Sequence, residues 1–416
     1  MSADQKIVIL GAGQAGGQAA VSLRQFGFEG EITLVGDELA PPYQRPPLSK
    51  AYLKGKLDRE RLFLKPITFY EDSKINLVTQ VSATKIDRAA KTVELSNGES
   101  IAYDTLIIAT GARPRALPVP GADLGHVFDL RSLDDIDMLK PMVRGGHHLL
   151  IVGAGYIGLE AASAARELGL DVTVLEMADR VLARVTSPVM SDFYQRTHET
   201  HGVKIITGAM LSELKGDDDG KVKSGVLKSG EEIMCDLVLV GIGVIPNIEF
   251  VAEAGVATKN GILVDRDCRT NDPSIYAIGD CAHRPLVHYG RDGRLESVHN
   301  AIEQGKIAAA HITEKPRPNE DVPWFWSDQY DVKLQIAGLS QDYDEAVVRG
   351  DPLSQNFAVF YFRAGRLISV DAVNSPAEFL TAKKLIAANA DISPDTVADT
   401  TISMKDIMAS ALAKQG

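Results

Sequence analysis

A chain of 416 residues with 45% apolar side chains is long enough to pack about two or three domains. Its formal charge of −12 argues against nucleic acid as a partner, because such proteins carry basic faces. No run nears the roughly 18 apolar residues of a membrane span, and no basic-then-apolar leader opens the chain, so no membrane partner and a cytoplasmic location are expected.

Taken in chain order, the first element is the strand Lys6–Leu10, followed by the turn Gly11-Ala12-Gly13-Gln14-Ala15-Gly16, a helix over 14–26 and a strand over 31–35. In this fingerprint Gly11 permits the tight turn, Gly13 lets the backbone approach a pyrophosphate, and Gly16 lets helix and strand pack closely. Asp37 ends the second strand at the distance expected of the acid that accepts from the adenosine ribose, with Glu38 as the alternative. The loop Pro41-Pro42-Tyr43-Gln44-Arg45-Pro46-Pro47 can continue neither a helix nor a central strand and is expected to cross a ligand. A hairpin over 92–101 turns at Asn97-Gly98, and a buried strand over 105–109 ends at Thr110-Gly111.

After a linker marked by Pro114, Pro118 and Pro120, the pattern restarts. The strand His148–Val152 leads into Gly153-Ala154-Gly155-Tyr156-Ile157-Gly158, the helix Tyr156–Glu167 and a strand over 172–175 that ends in Glu176. Two complete copies of a phosphate cradle imply two dinucleotides, and hence electron traffic between them. Glu176 suits the two ribose hydroxyls of NAD, and no arginine adjoins it to receive a 2′-phosphate, Arg180 being the nearest. NADH is therefore expected over NADPH. A strand over 203–206, a hairpin near 216–220 and the strand Leu237–Val240 before Gly241-Ile242-Gly243 close this domain. A buried strand then ends in Gly279-Asp280, a helix covers 299–310, and from residue 322 the texture becomes aromatic and alternating, with strands over 357–362 and 367–370 joined at Ala364-Gly365. Helices over 378–388 and 404–413 complete a third domain.

Ala109-Thr110-Gly111, Tyr276-Ala277-Ile278-Gly279-Asp280 and the two fingerprints, in this order, resemble the two-dinucleotide flavoprotein reductases built like glutathione reductase. Within that group the chain is similar to the NADH-dependent ferredoxin reductases of bacterial oxygenase systems, the putidaredoxin reductase-like flavoproteins. The segments Pro42-Tyr43-Gln44-Arg45-Pro46-Pro47-Leu48-Ser49-Lys50 and Trp324-Phe325-Trp326-Ser327-Asp328-Gln329-Tyr330 carry that narrower likeness. The resemblance implies an α/β fold with two Rossmann-like dinucleotide-binding domains and a C-terminal α+β domain. FAD would be bound by residues 1–113 and 247–321, NAD by 114–246, and residues 322–416 would form the third domain.

The same resemblance places FAD against Ala15, Asp37, Arg45, Lys50, Val81, Arg131, Asp280 and Val298, with Thr110, Gly111 and Gly279 in the supporting turns. On the NAD side it adds Ile157 and Gly243 to the fingerprint glycines. It also pairs Lys50 with Glu160, near the flavin nitrogen that accepts hydride, in an orienting role. Trp326 either covers the flavin or packs in the core, and Tyr156 either shields the nicotinamide or simply starts its helix.

Cys235, Cys268 and Cys281 have neither Cys-x-x-Cys nor Cys-x4-Cys spacing, so a disulfide relay is not expected and electrons must leave the flavin directly. A flavin can take a pair from NADH and release electrons singly, which suits a small 2Fe-2S ferredoxin and, behind it, a monooxygenase. A rubredoxin reductase, or a redox-sensing interaction protein like apoptosis-inducing factor, remains the alternative. The assembly is expected to be a monomer or homodimer. No metal is expected: His198 and His201 lack a third ligand and read as a surface helix, and Asp217-Asp218-Asp219 reads as a solvated turn. Lys383-Lys384, Arg291 and Arg294 are either ferredoxin contacts or, by default, single exposed charges.

Overall fold

The computed structural model describes residues 4–413. Its backbone forms two compact units: one runs up to Pro47 and adds Leu57–Arg113 and Val244–Glu320, while the other gathers Leu48–Lys56, Pro114–Gly243 and the residues from Asp321 onward.

In the first unit a five-stranded parallel sheet has the order Ile275–Ala277, Thr105–Ile108, Lys6–Leu10, Glu31–Val35, Ile75–Val78. Ile7 to Leu10 are all buried, as a strand covered on both faces requires. Ile7 and Ile9 pack with Ala19, Leu23 and Ile307, whereas Val8 and Leu10 pack on the other face with Val81, Val93 and Val251. Each such aliphatic side chain contributes about 1.5–3 kcal/mol through burial. Register pairs Leu10 with both Val35 and Ile108, so three central strands end level and their following turns meet at one edge. A crevice at the carboxyl ends of such strands is where α/β sheets bind ligands.

The second unit repeats the plan with Val203–Ile206, Asp171–Leu175, His148–Val152, Leu237–Val240 and Val127–Asp129, again all parallel. Val127–Asp129 and the helix Leu133–Leu139 behind it were not read in the sequence. The strand has only three residues, and the helix rests on a capping box between Ser132 and Asp135 in which Asp replaces the usual Glu or Gln. The same unit contains a five-stranded antiparallel sheet ordered Trp324–Gln329, Val332–Gly338, Arg366–Val373, Asn356–Arg363, Glu345–Asp351. Helices Pro376–Ala387 and Met404–Ala413 cover it through Phe379, Leu385 and Ile407.

The turn joining the first two of these strands was illegible, because Tyr330 takes the left-handed conformation (φ 56°) usually given to Gly or Asn. A buried polar knot ties this sheet to the loop before the helix Pro188–Thr200: Tyr361 Oη donates to Asp371 Oδ2 at 2.6 Å, and Thr186 Oγ1 donates to the same oxygen. Among the described residues no helix is long and apolar enough to cross a membrane.

Candidate functional site

The first fingerprint is built by close backbone approaches. Gly11 has φ +109°, and a Cβ there would lie 2.2 Å from the Ala109 carbonyl oxygen. At Gly16 a Cβ would lie 1.9 Å from the Gly11 oxygen, but at Gly13 it would meet nothing within 4 Å. Two glycines thus shape the turn and the third faces open space, the arrangement a pyrophosphate needs. The helix Gln14–Gln25 starts at Gly13 with no side-chain cap and no acid in its first turn, leaving its amides and dipole for an anion.

The neighbouring turns converge on this helix end. Thr110 Oγ1 donates to the Asn247 carbonyl at 2.8 Å, Asn247 Nδ2 returns a bond to the Thr110 carbonyl, and the Asn247 amide donates to the Gly111 carbonyl. Gly279 (φ +76°) approaches so closely that a Cβ would sit 2.8 Å from Ala15 Cβ, which puts Asp280 beside the fingerprint. Gln304, missed in the sequence, fixes that turn: its Oε1 accepts from the Gly279 amide at 2.7 Å, while its Nε2 is buried without a protein partner. Val298 opens the helix Val298–Ile312, which packs on Gln14–Gln25 with Gly305 at the crossing.

Asp37 is exposed at the strand end, and Val81 donates its amide to the Gly36 carbonyl beneath it. Glu38 is instead engaged by Arg45 and by the Tyr43 hydroxyl, both at 2.6 Å. Burial opposes the Arg45 charge, but Tyr43 and Glu38 outweigh it and hold the guanidinium charged. The proline-rich loop crosses the helix at Gly17, where a Cβ would come within 2.7 Å of Pro42. Arg294 corrects the reading of an exposed charge. Its side chain is 10% exposed and donates to the Asp280 carbonyl at 3.1 Å.

In the second unit the cradle recurs. A Cβ at Gly153 (φ +106°) would lie 2.5 Å from the Gly241 oxygen, one at Gly158 2.1 Å from the Gly153 oxygen, and one at Gly155 would meet nothing within 4 Å. The helix Tyr156–Glu167 likewise starts without a side-chain cap or an acid in its first turn. Gly243 (φ +103°) follows the adjacent strand and accepts from the Arg115 amide. Glu176 is fixed at its strand end by amides of Ala154 (2.8 Å) and Ala178 (2.9 Å). Arg180 turns into its own loop, donating to the Thr186 and Ala183 carbonyls and to Ser191 Oγ. Ile157 is exposed, and Tyr156 rests its ring 5.0 Å from that of Phe325. The Tyr156 hydroxyl is buried without a protein partner, and burial pushes its pKa well up.

Lys50 lies at a kink in the short helical turn Leu48–Tyr52, its own backbone leaving the helical region (φ −130°, ψ −108°). Its Nζ is 2.6 Å from Glu160 Oε2, and Glu160 is 5% exposed. Arg131 is half-buried, its amide donating to Asp135 Oδ2 at 3.0 Å. Trp326, also half-buried, lines a surface groove with Trp324, Asp328 and Tyr330. His198 corrects the surface-helix reading, since it is fully buried in hydrogen bonds to Gln329 and Tyr330. Cys235, Cys268 and Cys281 are all unpaired and buried, and burial pushes the first two thiols up to about 12.

Twin glycine cradles on separate parallel sheets, with a lysine paired to a buried glutamate and no paired thiols, define a two-dinucleotide oxidoreductase. Residues 5–305 match the family Pyridine nucleotide-disulphide oxidoreductase, and residues 324–408 match Reductase C-terminal. The chain belongs to this family and is an NADH-dependent FAD flavoprotein with two dinucleotide-binding domains and a C-terminal domain. It is 47% identical to rhodocoxin reductase of Rhodococcus erythropolis, over 96% of this chain and 93% of that protein. Putidaredoxin reductase of Pseudomonas putida is 41% identical over 100% of this chain and 99% of its own length. The crystal structure of the covalent putidaredoxin reductase–putidaredoxin complex superposes with a TM-score of 0.97 at 40% identity, covering 99% of this chain and 100% of the other.

Proposed function

We propose that this chain is the reductase of an oxygenase system, drawing electrons from NADH and delivering them one at a time to a small 2Fe-2S ferredoxin that feeds a haem-thiolate monooxygenase. Bound in the first cradle, FAD accepts an electron pair and gives electrons up singly. Gly11, Gly13, Ala15 and Gly16 would hold its pyrophosphate, Asp37 its adenosine ribose, and Asp280 its ribityl hydroxyls. Arg45, Val81, Thr110, Gly111, Arg131, Gly279, Val298 and Trp326 would complete the surround. On the nicotinamide side Gly153, Gly155, Tyr156, Ile157, Gly158 and Gly243 would cradle the exchangeable dinucleotide, with Glu176 on its ribose. Lys50 and Glu160 would orient the reacting rings, the ammonium placing positive charge where negative charge develops.

The observation that carries this reading is two complete cradles in a chain whose three cysteines are buried and unpaired. Two dinucleotides call for electron transfer between them; without accessible thiols the electrons would leave the flavin directly for an external acceptor, and the likeness to ferredoxin reductases favours a carrier protein. Stopped-flow mixing tests it. The expected result is rapid bleaching of the flavin band by NADH followed by fast reoxidation by a 2Fe-2S ferredoxin. Preferential reoxidation by rubredoxin would reassign the carrier, and a long-lived reduced complex indifferent to both carriers would support a redox sensor.

A further inference from the structure

Three donors converge on Glu160: Lys50 Nζ and Ser49 Oγ on Oε2, at 2.6 and 2.8 Å, and Ser327 Oγ on Oε1 at 2.7 Å. Beyond Ser327 the bonds continue. Gln329 Nε2 donates to Ser327 Oγ at 3.1 Å, Gln329 Oε1 lies 2.8 Å from His198 Nε2, and Tyr330 Oη lies 3.2 Å from His198 Nδ1. Ser327, Gln329 and His198 are each 0% exposed, so the bonds among them and to Glu160 do not compete with solvent.

Their chemistry fixes the direction of every bond. An ionised carboxylate only accepts, so Ser327 spends its one proton on Glu160 and its oxygen is left to accept from the Gln329 amide. That orients the amide and turns its carbonyl, another pure acceptor, toward His198. His198 must then carry its proton on Nε2 and accept the Tyr330 hydroxyl at Nδ1. A flipped amide or the other tautomer would set acceptor against acceptor, and a charged imidazole would reverse the bond to Tyr330, its Nδ1–H donating to the hydroxyl oxygen. Burial lowers the His198 pKa to about 4, with His201 adding to the effect, which keeps the ring neutral at working pH.

The far end of the chain is clamped. Tyr330 holds a left-handed backbone, donates its amide to Ser163 Oγ at 2.8 Å, and stacks on His201 with ring centroids 3.7 Å apart. Strain of this kind persists only where the surroundings over-determine it. Ser327 and Gln329, two apart on one strand, share a face, so a single strand supplies the middle of the chain.

We propose that Ser327, Gln329 and His198 are positioning residues that hold the Glu160 carboxylate in the orientation it presents to Lys50, and so set the rate of hydride delivery without touching either dinucleotide. This rests on the NADH-to-FAD reading of the two cradles. Gln329→Glu keeps the shape but replaces a donor with an acceptor, drawing the Ser327 proton away from Glu160. Ser327→Ala removes that proton and Ser327→Thr keeps it.

The FAD-loaded full chain provides the test. In Ser327→Ala and Gln329→Glu the limiting rate of flavin reduction at saturating NADH should fall about tenfold or more, the scale of a sub-ångström misplacement, while the apparent NADH Kd stays within about twofold. FAD content should hold and the fold should persist at the assay temperature, Tm falling only by the few degrees that a lost buried hydrogen bond costs; the visible flavin band should shift, and Ser327→Thr should recover most of the rate. In the wild-type protein the ring nitrogens of His198 should show the neutral Nε2–H form by nitrogen-15 NMR across about pH 5 to 8. Wild-type rates and spectra in both variants, a rate loss that only tracks lost FAD, or a His198 that titrates within that range would overturn the network while leaving the cradles standing. A wild-type chain that NADH fails to reduce would overturn both readings.

Discussion

On the proposed reading Glu176 takes the ribose of the second dinucleotide. Because the Ala154 and Ala178 amides already hold its carboxylate, the group cannot swing aside for a 2′-phosphate, and Arg180 is committed to its own loop. Even 1.4 kcal/mol of charge repulsion gives a tenfold preference, so kcat/KM for NADH should exceed that for NADPH by at least about tenfold. Steady-state comparison of the two cofactors checks this, and equal efficiencies would remove Glu176 from the site. At the same scale Gln304 and Ser327 escaped the sequence reading for one reason: a buried polar residue shows no periodicity, and its partner lies 25 residues away for Gly279 and 167 for Glu160.

The cradles are elements whose glycines divide the labour differently, which allows fold and ligand to be tested apart. A methyl at Gly13 would meet no protein atom, so Gly13→Ala should leave the apoprotein's Tm within about 2 °C yet strip FAD, read from the visible flavin absorbance after desalting. Gly158→Ala, whose methyl would strike the Gly153 carbonyl in the other unit, should retain the flavin band and raise KM for NADH about tenfold or more. Full flavin content in Gly13→Ala, or a colourless Gly158→Ala, would reverse the assignment. These turns were legible because each requirement is local, a positive φ or a close contact within six residues of sequence. The stretch Leu48–Lys56 was not: it follows the first cradle in sequence but packs in the second unit, held there by Ser49 and Lys50 on Glu160 more than a hundred residues away. The three strands from Trp324 to Asp351 were read only as β texture, since their first turn rests on a tyrosine.

For the whole molecule, the knot at Asp371 sets a pH dependence. This carboxylate is fully buried; burial raises its pKa to about 6 although Thr186 and Tyr361 donate to it. The native state therefore holds a proton that the unfolded chain, near its ordinary 3.8, has lost. Stability falls as pH rises from about 4 through about 6 and is level above, by an amount on the order of 3 kcal/mol. Thermal melts of Asp371→Asn should lose that slope, so that the variant gains on the wild type between pH 4 and 8. A constant difference across that range would refute the assignment. The buried cysteines carry a different consequence. With all three thiols buried, none stands at the surface for arsenicals, mercurials or glutathione to reach. Reduction of the flavin by NADH should therefore persist after the native protein is treated with a thiol-capping reagent, and loss of that activity would show a thiol within reach.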